Sequence, residues 1–442
     1  MAGFFHILAL RPLVSAAKLH ETDRVTQLRQ RTHRLHRAWV VAAVAFVTLI
    51  GAAGFRSVPS VLIDPLHAEF GWARGTIGAA VSINLVLFGL ISPFAAALMD
   101  RLGMRRVVAW ALTLVAAGSG LTIFMTASWQ LQLLWGVLVG VGTGSMSMAF
   151  VATVTGRWFV HRRGLVSGIL TAAGATGQLI FLPLVAALAT EYGWRTASIV
   201  VALAALAVVP LVVLFLHDHP ANVGTTAYGG EAEVSAAPVT GSSAARALRT
   251  LRDAARTRTF WLLAGGFAIC GASTNGLVGT HFVTAAHDHG MPHTTAASLL
   301  ALVGIFDVAG TILSGWLTDR VNPRVLLGAY YTLRGLSLMI LPSLFAPGVE
   351  PSMWVFIIFY GLDWIATVPP TVALCREKFG EAAPIAFGWV FASHQVGAAL
   401  AAFAAGLTRD LQGSYDLAWL VAGGLCVLAA VMSIAVPRLR VP

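Results

Sequence analysis

Charge is what this chain has least of. Only 11% of its 442 residues are Asp, Glu, Lys or Arg and 57% are hydrophobic, where an ordinary soluble domain carries about a quarter charged residues. A water-soluble globule is therefore excluded. Cysteine is almost as scarce. Cys270, Cys375 and Cys426 all fall inside or at the ends of apolar runs, and none has metal-site spacing, so neither a disulfide framework nor a metal site is expected. Nucleophile elbow, phosphate loop and metal-ligand spacing are likewise missing, which argues against an enzyme and against any cofactor. Short segments alternating apolar and polar, the signature of a transmembrane barrel, do not occur.

What remains is a series of apolar runs of about 20 residues, the length that crosses a bilayer core as helix. Mean hydropathy is +0.78. The runs fall at 38–60, 76–99, 107–126, 130–153, 163–189, 194–217, 259–286, 294–317, 324–345, 352–375, 384–407 and 414–436. They predict an all-α membrane protein of twelve transmembrane helices.

The net charge of +10 invites a nucleic-acid reading, which its placement removes. Basic residues crowd the N-terminal segment (Arg24, Arg29, Arg31, Arg34, Arg37), the breaks after helices 2, 4, 6, 8 and 10, and the C-terminal tail. By the positive-inside rule both termini are expected in the cytoplasm. The charge expresses topology, and no nucleic-acid partner is expected. The apolar FFHILAL stretch is short and is followed by polar residues rather than a convincing cleavage site. Residues 21–37 are expected to lie as a basic segment near anionic lipid.

The chain also repeats itself. At an offset of 219 or 220 positions Gly71 falls on Gly290, Asp100-Arg101 on Asp319-Arg320, Arg157 on Arg376, Gly168 on Gly388 and Gly193 on Gly413. This register predicts two parallel six-helix halves, 38–217 and 259–436, between a basic N-terminal segment 1–37 and a tail 437–442. The connection at 218–258 contains the low-complexity stretch GGEAEVSAAPVTGSSAAR and reads as a flexible cytoplasmic tether. Two such halves can rock about a central site and expose it to each side in turn, which is the physical basis of a transporter.

The segment AALMDRLGMRR, 96–106, resembles the G-x-x-x-D-R-x-G-R-R loop signature of the major facilitator superfamily, and GWLTDRVNPR, 315–324, is its partner in the second half. Ala96 stands where the signature has its first glycine. EFGWARGTI (69–77), RWFVHRRGLVSGI (157–169) and EYGWRTA (191–197) look like the monocarboxylate porter and oxalate/formate antiporter branch of that superfamily. The resemblance implies a cytoplasmic gate in which the loop acids and arginines form a charge relay. We carry that role to Asp100, Arg101, Arg105, Arg106, Asp319 and Arg320, with Arg157 and Arg376 beside them. The alternative is that these residues only mark tight turns.

Few ionisable residues sit at depth: Arg56, Asp307, Arg334, Asp363 and His394. A charge there costs about 2.5 kcal/mol or more, so each needs a partner, a wet cavity or a function. The resemblance puts helices 7, 8, 10 and 11 on the central cavity and helix 9, carrying Arg334, in the outer layer. Arg334 is then expected to reach inward as the structural partner of Asp363. One carboxylate is left over, and an unpaired buried carboxylate takes a proton. Asp307 is the expected carrier, because the monocarboxylate branch also places a functional aspartate in helix 8. Asp363 and His394 are the other proton-coupling candidates.

One departure bears on the substrate. The branch follows its helix-8 aspartate with an arginine one turn later, and this chain has Thr311 there. Arg56 in helix 1 and His394 in helix 11 are the candidate replacements, the first as a permanent fork-shaped donor, the second only while protonated. Snorkelling of Arg56 to the outer interface and a plain interhelical hydrogen bond for His394 compete with those roles. Tyr360, Asn275 and Gln178 are further candidates for the substrate site, though packing and interhelical bonding explain them as well. Trp39, Trp72, Trp129, Trp194 and Trp354 fall at helix ends, where interfacial belts place tryptophan. Pro369-Pro370 should kink helix 10 just past Asp363.

The expected function is secondary active transport of a small organic anion, a monocarboxylate or related carboxylate, coupled to protons across the bacterial inner membrane. The partners are that anion, protons and the lipid bilayer, with no obligate protein partner. The alternative is proton-driven efflux of amphipathic compounds.

Overall fold

The computed structural model describes residues 36–230 and 241–438, the side chains of residues 56–61, 63–64, 74–75 and 293 excepted. The basic segment expected at 1–37 therefore lies almost wholly outside the described residues, as do residues 439–442 of the tail and the middle of the linker.

Among the described residues eleven helical runs are long and apolar enough to cross a membrane, and one of them, the 62-residue run Pro351–Gln412, holds two passes. The passes are helix 1 (Arg37–Phe70), helix 2 (Arg74–Leu102), helix 3 (Met104–Leu121), helix 4 (Ser128–Trp158), helix 5 (Arg163–Tyr192) and helix 6 (Trp194–Phe215). The second set is helix 7 (Arg258–Asp288), helix 8 (His293–Thr318), helix 9 (Pro323–Ile340), helix 10 (Pro351–Asp363 continued by Val368–Phe379), helix 11 (Ala383–Gln412) and helix 12 (Asp416–Ile434). An even number of passes brings His36, the linker and Arg438 to one end of the bundle, here termed the basic face.

The internal repeat is visible in the packing. Helix 1 lies along helix 5 as helix 7 lies along helix 11; helices 3 and 6 pair as 9 and 12 do; helices 2 and 4 pair as 8 and 10 do. Between the halves, helix 5 packs on helix 8, and its counterpart is the packing of helix 11 on helix 2. Helices 3, 6, 9 and 12 form the outside. Trp110, Leu203, Leu214, Ile340 and Ile434 are each more than half exposed there, an apolar shell that only lipid can cover without a large penalty.

Local sequence explains the helix ends and breaks. Helix 2 stops at Gly103, whose φ of +89° suits glycine and where a Cβ would collide with the Asp218 carboxylate. Pro323 opens helix 9 behind Asn322, whose side chain accepts the Arg324 N–H at 3.1 Å. Helix 10 is interrupted, rather than only kinked, between Asp363 and Val368. Pro369 and Pro370 have no N–H to offer the carbonyls of Ile365 and Ala366, so the helical ladder fails over one turn.

The linker departs from the flexible tether expected of it. Its first part docks on the first half: Trp158 Nε1 donates to the His217 carbonyl at 3.0 Å and the Tyr228 N–H to the Trp158 carbonyl at 2.8 Å. Its last part is a helix, Ser243–Ala255, capped by Ser242, whose hydroxyl accepts the Ala245 N–H. This linker helix packs on helices 2, 7 and 11 and so touches both halves. Its signal in the sequence is ALRTLRDAAR, apolar and basic residues at helical spacing. Trp194 differs from a belt residue too: it is 4% exposed and its Nε1 donates to Glu69 Oε2 at 2.6 Å.

Candidate functional site

The break in helix 10 lies midway along the pass, and an unwound turn there leaves backbone groups that lipid cannot satisfy. Side chains from the neighbouring helices satisfy them. Arg334 Nη2 on helix 9 donates to the carbonyls of Asp363 at 2.5 Å and Trp364 at 3.1 Å. Ser314 on helix 8 donates to the Ala366 carbonyl at 2.5 Å, and the Ile365 carbonyl accepts the Val368 N–H. The Ile365 N–H donates to Asp307 Oδ1 at 3.0 Å.

Asp307 and Asp363 thus serve the same broken turn in different electrostatic settings. Asp363 Oδ2 accepts Arg334 Nε at 2.6 Å, both residues buried. Arg334 Nη1 also reaches Cys270 Sγ at 3.0 Å, and that sulfur contacts Thr367 Oγ1 at 3.2 Å. Oδ1 of Asp363 is buried with no hydrogen-bond partner among the described residues. Asp307, 1% exposed, meets only neutral donors: the Ile365 N–H and the Thr311 hydroxyl, the latter at 2.8 Å from the same oxygen. Thr311, standing where the resemblance leads one to expect a cation, supplies a hydrogen bond and no charge.

His394, on helix 11, is buried between the rings of Phe267 and Phe391. Tyr360 is fully buried, its hydroxyl donating to the Ser273 carbonyl at 2.9 Å and its ring stacked on Phe356; it serves packing between helices 7 and 10 in this conformation. Asn275, in a π-helical turn of helix 7, and Gln178, on helix 5, are exposed. Arg56 belongs to helix 1, and its side chain lies outside the described residues.

At the basic face the halves are closed upon each other. Asp319, following helix 8, caps the start of helix 5: Gly164 N–H donates to Oδ1 at 2.7 Å and Leu165 N–H to Oδ2 at 2.9 Å. A carboxylate there also meets the positive end of the helix dipole. Behind the cap helices 5 and 8 touch backbone to backbone, so that a Cβ on Gly315 would collide with the Gly164 carbonyl oxygen and sit 2.8 Å from Gly168 Cα. Arg376 of the second half donates to the Gly156 carbonyl of the first at 3.1 Å.

Asp100 has different partners from its counterpart. Arg157 Nη2 bonds its Oδ1 at 2.6 Å, and Arg246 of the linker helix approaches Oδ2 to 3.1 Å as an ion pair outside hydrogen-bond geometry. Arg101, Arg105, Arg106 and Arg320 are exposed. Among the described residues none of these four pairs with an acid; Arg320 lies over the Trp316 ring at 4.0 Å, and the backbone N–H of Arg105 caps onto Asp218. Arg246 is not legible in the sequence, where the linker reads as a flexible tether. Nor is Ser314, because a lone serine in an apolar run carries no signal.

A family model described as Major Facilitator Superfamily matches residues 44–383 and 266–442. The chain is 27% identical over 401 residues to the Uncharacterized MFS-type transporter YcxA of Bacillus subtilis, covering 86% of this chain and 90% of the relative. It is 28% identical over 405 residues to Monocarboxylate transporter 13 of Rattus norvegicus, covering 90% and 89%. Among solved structures a variant of the E. coli fucose:proton symporter FucP superposes with a TM-score of 0.66 at 17% identity, over 90% of this chain and 99% of that one.

Proposed function

The chain belongs to the major facilitator superfamily and is a membrane transporter rather than an enzyme; from that premise we propose that it carries a small organic anion, a monocarboxylate or related carboxylate, together with a proton. The proton rides on Asp307. The observation that carries this reading is the unequal treatment of two buried carboxylates that serve one broken turn from helices 8 and 10: Asp363 holds the only cation in contact with the pair among the described residues, and Asp307 is served by neutral donors. A carboxylate with no ion pair of its own at that depth is least costly as the neutral acid.

The relative named a monocarboxylate transporter supports the anionic cargo. Arg56 and His394 are the proposed anion-attracting groups, the former permanently charged. The basic face is proposed to be cytoplasmic, by the positive-inside rule, in the inner membrane of a bacterium. With Asp319 and Arg376 joining the halves at that face, the conformation described is the one closed to the cytoplasm. Breaking those contacts while the opposite end closes completes alternating access.

The test uses the full chain in liposomes with an internal pH dye, challenged with a panel of small carboxylates and a panel of lipophilic cations. Carboxylate-driven internal acidification that Asp307→Asn abolishes is the expected result. Acidification unchanged in the variant removes Asp307 as the carrier; a response to the cations alone replaces the anion reading with efflux of amphipathic compounds.

A further inference from the structure

A cavity of about 430 Å³ lies between the halves at the basic face, and neither Asp307 nor Arg334 lines it. Helix 5 contributes Arg163 and Ser167 to its wall, helix 10 contributes Arg376, and Asp319 and Glu377 also border it. Both carboxylates are already engaged, Asp319 with the two N–H groups that open helix 5 and Glu377 with Arg324 Nη2 at 2.5 Å. Neither arginine forms an ion pair among the described residues, though Asp319 is near enough to act on the Arg163 charge. Arg376 gives one nitrogen to the Gly156 carbonyl, and Arg163 gives Nε to the Phe159 carbonyl. Neither has a carboxylate within ion-pair distance among the described residues, and both η nitrogens of Arg163 lack a protein acceptor there.

Ser167 adds an independent sign. It is 2% exposed, it lines the cavity, and its hydroxyl is buried with no hydrogen-bond partner among the described residues. A serine within a helix ordinarily returns its hydroxyl to the carbonyl one turn back, and buried hydroxyls without any partner are rare. Two guanidinium groups that border one cavity, with an unpartnered hydroxyl buried in its wall, match an oxyanion, which accepts paired N–H bonds from arginine.

We infer that this cavity binds a small oxyanion of the phosphate type between Arg163 and Arg376, with the Ser167 hydroxyl as a further donor. The two arginines come from opposite halves, so the bound anion clamps the basic face shut and biases the transporter toward the state open at the other end. Its occupancy therefore regulates transport from a site that includes neither Asp307 nor Asp363. The inference stands whatever the cargo is. The phosphate belongs either to a free ion or to the headgroup of an anionic lipid reaching in from the membrane surface.

The experiment is thermal unfolding of the purified full chain in neutral detergent, titrated with inorganic phosphate at constant ionic strength, with a parallel arm in which phosphatidylglycerol replaces the phosphate. A saturable rise in Tm is expected, because a ligand that binds only the folded state stabilises it by mass action. Arg163→Gln or Arg376→Gln should raise the half-saturating concentration at least tenfold, Ser167→Ala should raise it severalfold, and Asp307→Asn should leave it unchanged. Saturation with phosphate assigns the site to the free ion. Saturation with phosphatidylglycerol alone, lost in the same variants, assigns it to the headgroup. A rise that never saturates, or one that the wild type shares with Arg163→Gln and Ser167→Ala, overturns the inference, and Ser167→Ala keeps the test decisive if an arginine variant fails to fold.

Discussion

Asp307 on helix 8 accepts the backbone N–H of Ile365 on helix 10 at 3.0 Å, through the same oxygen that takes the Thr311 hydroxyl. A side chain proposed to carry the proton is therefore also a structural ligand of the broken turn. Loading or unloading Asp307 changes how strongly it holds the N–H of Ile365, since an ionised acceptor makes the stronger bond. Arg334 holds the carbonyls on the other side of the same turn. Protonation and the bend of helix 10 are in this way linked through one hydrogen bond.

The Thr311 hydroxyl should matter for stability because its acceptor is buried. Thr311→Val keeps the shape and removes the donor, and is expected to cost about 1–3 kcal/mol, whereas Thr311→Ser should unfold near the wild-type temperature. Detergent melting curves of the two variants decide this; equal Tm values would mean that the hydroxyl contributes nothing.

Breaking the Arg334–Asp363 pair strands a buried charge. Asp363→Asn and Arg334→Gln are each expected to destabilise by about 3–5 kcal/mol, seen as low yield and a low Tm. Arg334→Gln combined with Asp363→Asn should recover part of the loss, and only part, since Arg334 also holds the Asp363 and Trp364 carbonyls. Additive losses in the double variant would contradict the pairing.

Gly315→Ala should keep the basic face from closing. The added Cβ meets backbone atoms of Gly164 and Gly168, which cannot rotate away as a flexible side chain would. Thr318 is 9% exposed in the closed arrangement. A cysteine placed there by Thr318→Cys should react with maleimide at least tenfold faster when Gly315→Ala is also present, and transport should fall. An unchanged labelling rate would show that helices 5 and 8 tolerate the extra carbon.

At the opposite end, Arg195 hydrogen-bonds both oxygens of Glu69, at 2.6 and 2.9 Å. That bond chiefly, with the one from Trp194, holds the Glu69 carboxyl below its ordinary range. A carboxyl depressed in the folded state contributes stability that is present above its unfolded value, about 4.3, and is lost as pH falls through the lower folded value. The pair is exposed, so the contribution is about 0.2–1 kcal/mol. Glu69→Gln should melt slightly below wild type at pH 6, and the gap should close as the pH is lowered past 4. A gap that widens in acid would reverse the sign of the argument.

Much of this protein is local information. Twelve apolar runs locate the helices to within a few residues except where helix 1 continues to Phe70, because lipid demands about 20 apolar residues whatever they later pack against. Solitary charges in those runs mark Asp307, Arg334 and Asp363 as costly, and the offset of about 220 residues announces two halves. Tertiary structure alone decided the rest. Asp319 caps Gly164 from 155 residues away, the linker helix brings Arg246 to Asp100, and Arg334 and Asp307 divide the groups of one unwound turn. Each depends on how a helix is rotated about its own axis and which neighbour it meets, and hydropathy sets neither: a membrane helix is apolar on every side, so its inward face is chosen by close packing and hydrogen bonds.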